Sequence, residues 1–234
     1  MGHTGHTGTA RSQAQKIPSG QILLEGELIV PVSASGVVLF AHGSGSSRHS
    51  PRNQFVARAI REAGVGTLLF DLLTREEEAV DMSTRQLRFD IGLLAERLVD
   101  ATNWVKKQPD TSHLRVGYFG SSTGGAAALV AAASVSEEVG AVVSRGGRPD
   151  LAGDALPEVK APTLLIVGGL DYPVIKMNED AHRQLRCEKE LKIVQGATHL
   201  FEEPGTLEEV AHLAADWFQR KLHSNVVAEN RHRR

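Results

Sequence analysis

Residues 114–125 read Leu114-Arg115-Val116-Gly117-Tyr118-Phe119-Gly120-Ser121-Ser122-Thr123-Gly124-Gly125. An apolar run of strand length ends in a glycine-rich turn, and an Ala-rich stretch of helix length follows through Ala133. Strand, sharp turn and helix follow one another without a linker. Gly120 to Gly124 fits the pattern G-x-S-x-G, for which roughly 0.2 chance matches are expected in a chain this rich in Gly and Ser. The flanks therefore carry the weight. Glycines two before and two after a serine leave room for a strained turn that exposes its hydroxyl. The helix start behind it favours developing negative charge. Ser122 is the candidate nucleophile, and Ser121 is out of register.

Outward from this stretch the same alternation recurs. Gln21–Pro31 reads as one or two edge strands. Buried strands are expected in Gly36–Gly43, Thr67–Leu73, Val139–Ser144, Pro162–Gly169 and Glu190–Gly196. Helical spacing runs through Arg52–Ala63, Thr84 to about Lys107, Pro173–Leu185 and Thr206–Leu222. The acidic stretch 75–81 between two of these reads as a solvated loop. Strands alternating with helices predict an α/β fold, a mostly parallel sheet covered on both faces. Only 18 residues (145–162) join two of the strands, which leaves no room there for a separate lid domain. The expected organisation is a disordered extension over 1–20, one domain over 21–222 and a flexible tail over 223–234.

In such sheets ligands bind beyond the carboxyl ends of the strands. His42 to Ser47, Asp71, Ser122, Arg145 to Arg148, Asp171 and His199 all follow predicted strands. A serine hydroxyl needs a base within hydrogen-bond reach. His199 lies in the loop after the last strand and is the candidate base; His42 is read as shaping its loop. The imidazole needs a carboxylate to fix its tautomer. Asp171 is preferred, Asp150 is the alternative, Asp71 reads as organising a loop, and Glu202 and Glu203 read as solvated. Acyl transfer also needs donors aimed at the developing oxyanion. The backbone N–H groups of Thr123 and Ser44 are the candidates. Arg145, Arg148 and the weaker Arg48 stand where they could hold a substrate carboxylate.

Composition narrows the alternatives. The 234 residues carry 26 Lys+Arg against 28 Asp+Glu, a net charge of −2 that gives no support for nucleic-acid binding. Hydrophobic content is 41% and charged content 23%, unlike a disordered chain. No apolar run reaches the roughly 18 residues of a membrane span, and the first residues lack an apolar signal region. The single cysteine, Cys187, excludes an internal disulfide and a multi-cysteine zinc site. No Walker or dinucleotide-binding glycine pattern follows any predicted strand. No cofactor and no metal are expected; His3 and His6 lie in the extension. A cytoplasmic monomer or small homo-oligomer is expected.

The loop His42-Gly43-Ser44-Gly45-Ser46-Ser47, the Ser122 turn and the late Asp171 and His199 resemble the α/β-hydrolase superfamily from about Gln21 to Leu222. The compact layout is similar to the dienelactone hydrolase branch. The stretches HGSGSSRHSPRN (42–53), LLFDLLT (68–74) and SRGGRPDLA (144–152) resemble bacterial hydrolases of that branch, some of them fused to phosphoribosyltransferase domains. The resemblance implies a sheet of about seven or eight strands, no metal, and hydrolysis of a small ester or lactone through an acyl-enzyme. Dienelactone hydrolase itself uses a cysteine where this chain has Ser122. The leading expectation is a serine-dependent carboxylic ester hydrolase acting on small soluble substrates. A thioesterase, amidase or acyltransferase with the same triad is the first alternative. A small-molecule binding protein on the same scaffold is the second.

Overall fold

The computed structural model describes residues 11–223. Eight strands are present: β1 (Arg11–Ser19), β2 (Ile22–Val30), β3 (Gly36–Ala41), β4 (Gly66–Phe70), β5 (Arg115–Ser121), β6 (Val139–Arg145), β7 (Thr163–Gly168) and β8 (Lys189–Val194). Between them run α1 (Pro51–Glu62), α2 (Arg75–Thr84), α3 (Ile91–Val105), α4 (Thr123–Ser134), α5 (Tyr172–Gln184) and α6 (Thr206–Leu222). Short 3-10 segments occupy Leu87–Phe89 and Pro149–Glu158.

The strands form one sheet in the order β1-β2-β4-β3-β5-β6-β7-β8. β1 and β2 pair antiparallel, as do β2 and β4; every pairing from β4 through β3 to β8 is parallel. β3, β4, β6 and β7 are buried at every position. Their unbroken apolar sequences follow from cover on both faces. Val37 and Leu39 of β3 pack with Leu94 and Leu98 of α3 and Ala127 of α4. Val38 and Phe40 pack on the other face with Val56 and Ile60 of α1 and Trp217 of α6. Chain order reverses at β3, which lies between β4 and β5. Such a reversal opens a crevice at the strand ends, so the loops after β3 and β5 flank it.

Three expectations are corrected. Residues 11–19, assigned above to the disordered extension, form β1 and pair in register with β2 from Arg11↔Val30 to Ser19↔Ile22. Ile17 is fully buried there and Ser19 Oγ donates to Asp100 at 2.7 Å. One buried apolar side chain in nine residues left little periodicity to read. Residues 1–10 and 224–234, the rest of the expected termini, lie outside the described residues. Second, the acidic stretch 75–81 is helical. Thr74 and Glu77 form a reciprocal capping box at its start, and Glu77 pairs with the buried Arg97 at 2.5 Å. Third, the helix expected from Thr84 to Lys107 is interrupted. Arg85 turns left-handed at φ 56°, a 3-10 turn follows, and Asp90 caps a new helix by accepting from Leu93 N–H at 3.0 Å.

Glycine is required where the β5–α4 turn meets β3. A Cβ on Gly124 would overlap the carbonyl oxygen of Ala41 and lie 2.7 Å from that of His42. Backbone cannot yield there as a side chain can. Gly124→Ala is expected to destabilise the fold by about 3 kcal/mol or more, read as a lower urea midpoint. A change below about 1 kcal/mol would mean that the turn is not clamped against β3.

Candidate active site

Ser122 sits between the last residue of β5 and the first of α4 with φ 52° and ψ −122°. A positive φ at a non-glycine residue is strained and persists only where surroundings enforce it. Here they do. Ser122 N–H donates to the Arg145 carbonyl at 3.3 Å, and the Ser122 carbonyl accepts from Gly125 and Arg148 N–H, each at 3.0 Å. Ser121 is buried at the end of β5; the cavity described below is lined by Thr123 and Ser44 and not by Ser121, Ser122, Asp171 or His199 themselves.

Asp171 follows β7 and holds the N-cap position of α5, yet its side chain makes no capping bond. Its Oδ2 instead lies 2.6 Å from His199 Nδ1. The carboxylate is nearly buried and the imidazole 40% exposed. With Nδ1 engaged, Nε2 is the free ring nitrogen. The loop carrying His199 is closed by Glu203, which accepts from Thr198 N–H at 3.0 Å and Thr198 Oγ1 at 2.6 Å. Those bonds hold the Glu203 carboxyl below its ordinary pKa. Glu203 is thus a loop-closing residue and not simply solvated; Glu202 meets Arg52 at 3.3 Å. A Cβ on Gly146 would lie 3.6 Å from His199 Cε1. The imidazole therefore lies beside Gly146, next in chain to the residue whose carbonyl holds Ser122. Asp150, the alternative carboxylate, is bound by Arg148 at 2.8 and 2.9 Å.

The loop after β3 faces the same turn. A Cβ on Gly43 would lie 3.1 Å from Ser122 Cβ. Ser44 Oγ and Thr123 Oγ1 are 3.1 Å apart, so the residues of both candidate oxyanion donors are neighbours. Thr123 heads α4, where the first amides lack an intrahelical partner. His42 is buried, and its Nε2 accepts from Leu72 N–H at 3.0 Å. That fixes the proton on Nδ1, which donates to the Gly43 carbonyl at 3.0 Å. Burial pushes its pKa down. His42 is a neutral brace between two loops.

A cavity of about 490 Å³ opens beside Ser44 and Thr123, with Leu73, Met82, Glu78 and Arg88 on its far side. None of the three arginines named from the sequence lines it. Arg48 is tied to Asp71 and, at 2.7 Å, to Glu25. That makes Asp71 the loop organiser it was expected to be. Arg148 holds Asp150. Arg145 is buried with Nε and Nη1 unpartnered and its guanidinium 5.9 Å from the Phe201 ring centre; burial and then Arg52 lower its pKa to about 10. Sequence reasoning missed Glu78, Met82 and Arg88 as lining residues, because α2 was read as a loop and Arg88 as mid-helix. Cys187 lies 3.7 Å from Thr163 Oγ1, at the start of β7 and the far end of the sheet from this site. Among the described residues, no group of three His, Cys, Asp or Glu is placed to hold a metal ion, and no helix is long and apolar enough to cross a membrane.

Sheet order, the strained serine turn and the Asp–His pair define an α/β-hydrolase fold without a separate lid. The chain belongs to the dienelactone hydrolase family, whose pattern matches residues 24–224. A solved dienelactone hydrolase from Anabaena variabilis is 63% identical, covers 91% of this chain and 98% of its own, and superposes with a TM-score of 0.89. Est1E from Butyrivibrio proteoclasticus shares the fold at 16% identity, with a TM-score of 0.76 over 90% of this chain and 99% of its own. A Mycobacterium tuberculosis protein named "Putative phosphoribosyl transferase" is 58% identical over 208 residues, 89% of this chain and 46% of that one. The chain thus spans about half the length of that relative. Family membership supports hydrolase activity.

Proposed function

We propose that this chain is a serine hydrolase of small soluble carboxylic esters or lactones, with Ser122 as nucleophile, His199 as base and Asp171 as the orienting carboxylate. The observation that carries this is the strained Ser122 turn at the same sheet edge as the 2.6 Å Asp171–His199 pair. Ser122 Oγ attacks the acyl carbon while His199 Nε2 takes its proton. Asp171 stabilises the resulting imidazolium. The N–H groups of Thr123 and Ser44 hold the tetrahedral oxyanion, aided by the start of α4. His199 protonates the leaving oxygen as the acyl-enzyme forms. It then activates water, and the carboxylic acid is released.

The M. tuberculosis relative's name points to phosphoribosyl transfer. Its 208 aligned residues necessarily overlap 24–224 here, the stretch that matches the dienelactone hydrolase family. Hydrolysis is therefore the reading for the shared part.

A site without a separate lid leaves much of a long acyl chain in water, which favours short soluble acyl groups. In a series of p-nitrophenyl esters, kcat/KM for C2–C6 acyl groups is expected to exceed that for C12 by about tenfold or more. A preference for C12 would contradict the small-substrate reading. No turnover of any ester or lactone would contradict the hydrolase reading itself.

A further inference from the structure

The cavity beside the serine turn contains one carboxylate that no side chain meets directly. Glu78, on the first turns of α2, is half-buried and lines the cavity that Ser44 and Thr123 also line. No hydrogen bond or ion pair engages its carboxylate among the described residues. Its neighbours are otherwise committed. Glu77 is bound by Arg97, Asp71 by Arg48, and Asp81 by Arg88. Arg88 is the one arginine of the cavity lining, and its charge is already balanced. Its Nε lies 2.5 Å from Asp81 Oδ2 and its Nη2 donates to the Asp81 carbonyl at 3.2 Å. The histidine deepest in the lining, His42, is held neutral by the Leu72 and Gly43 bonds described above.

We infer that Glu78 is a specificity-determining residue that makes this cavity select neutral or cationic acyl groups and reject anionic ones. The inference rests on the hydrolase reading and deepens it. The physical argument is the reach of one carboxylate without a direct ion pair into a half-enclosed space. At an effective dielectric of about 40, a like charge about 6 Å away shifts an equilibrium by about tenfold, and an opposite charge shifts it as far the other way. Burial, and then Asp71, push the Glu78 carboxyl above its ordinary pKa, while Arg48 and Arg75 pull it down. A carboxylate held without a direct ion pair in this way is open to a counter-ion on the ligand. Of the arginines expected from the sequence to hold an acidic substrate, Arg48 and Arg148 are ion-paired to Asp71, Glu25 and Asp150, and none of Arg145, Arg148 and Arg48 lines the cavity.

The test uses three p-nitrophenyl esters of matched length whose acyl groups end in trimethylammonium, tert-butyl or carboxylate, assayed at pH 8. The wild type is expected to favour them in that order. Glu78→Gln is expected to cut the cation-to-anion ratio of kcat/KM by about tenfold or more, and Glu78→Lys to invert it. Because the ratio is taken within each enzyme, any general loss caused by a substitution cancels. An unchanged ratio in both variants, with the neutral ester still hydrolysed, would overturn the inference and leave the hydrolase reading standing. A wild-type preference for the carboxylate ester would overturn it too and assign charge selection to Arg88 Nη1, which lies near Gly45 in the same cavity. Failure of all three esters with the wild type would overturn the hydrolase reading, and this inference with it.

Discussion

Ser122→Ala is expected to lower kcat for a short-chain ester by about 10⁶-fold, the loss that follows when an activated serine is removed from a triad acting as a unit. In the proposed mechanism the Ser122 hydroxyl forms the acyl-enzyme, and neither neighbour is placed to replace it. Ser121 is buried in β5, and Thr123 is buried with its hydroxyl against Ser44. Alanine keeps the backbone that Arg145, Gly125 and Arg148 hold in place, so the fold and its melting temperature stay near those of the wild type. The release of strain at φ 52° is not available to alanine, which dislikes that region as serine does. Residual turnover within about tenfold of wild type would mean that another group attacks the ester.

Asp171→Asn is expected to give the second large effect, a loss of about 10⁴ in kcat with substrate binding little changed. The carboxylate accepts the Nδ1 proton and so keeps Nε2 free to act as a base. An amide of the same shape can donate to Nδ1 and turn the imidazole into the wrong tautomer. Among the described residues, neither carboxylate nearest in the chain to the site is free to compensate. Asp150 is occupied by Arg148, and Glu203 by Thr198. Stopped assays of kcat and KM on purified protein read the split directly. A rise in KM with unchanged kcat would place Asp171 in substrate binding instead of in orienting His199.

The parts of the site that the sequence made legible share a cause. Ser122, Asp171 and His199 each end a short apolar strand, and a parallel sheet brings all such ends to one edge. Length and apolar content were enough to find β5 and β7, which are almost wholly buried; β8, before His199, is a half-exposed edge strand carrying Lys189, Glu190 and Lys192. The edge hairpin was harder. β1 buries Ile17 but presents Gln13, Ala14 and Lys16 outward, and a polar nine-residue segment carries no periodic signal until its partner is known. The acidic run 75–81 did carry one, the Thr74 to Glu77 capping box, but three consecutive glutamates resembled a solvated loop. That reading hid the wall of the cavity, and with it Glu78 and Arg88. For two of the arginines near the site the sequence was silent for a different reason. Position along the chain told where Arg48 and Arg148 begin, but only the fold shows that Asp71, Glu25 and Asp150 claim them first.

The central proposal is that Ser122 is an activated nucleophile. Intact-mass analysis after exposure to a fluorophosphonate probe tests it most directly, with wild type and Ser122→Ala treated side by side. The predicted result is one phosphonyl adduct on the wild type, mapped to Ser122, and none on the variant. A folded wild-type protein that takes up no probe, or a variant labelled as fast as the wild type, would contradict it.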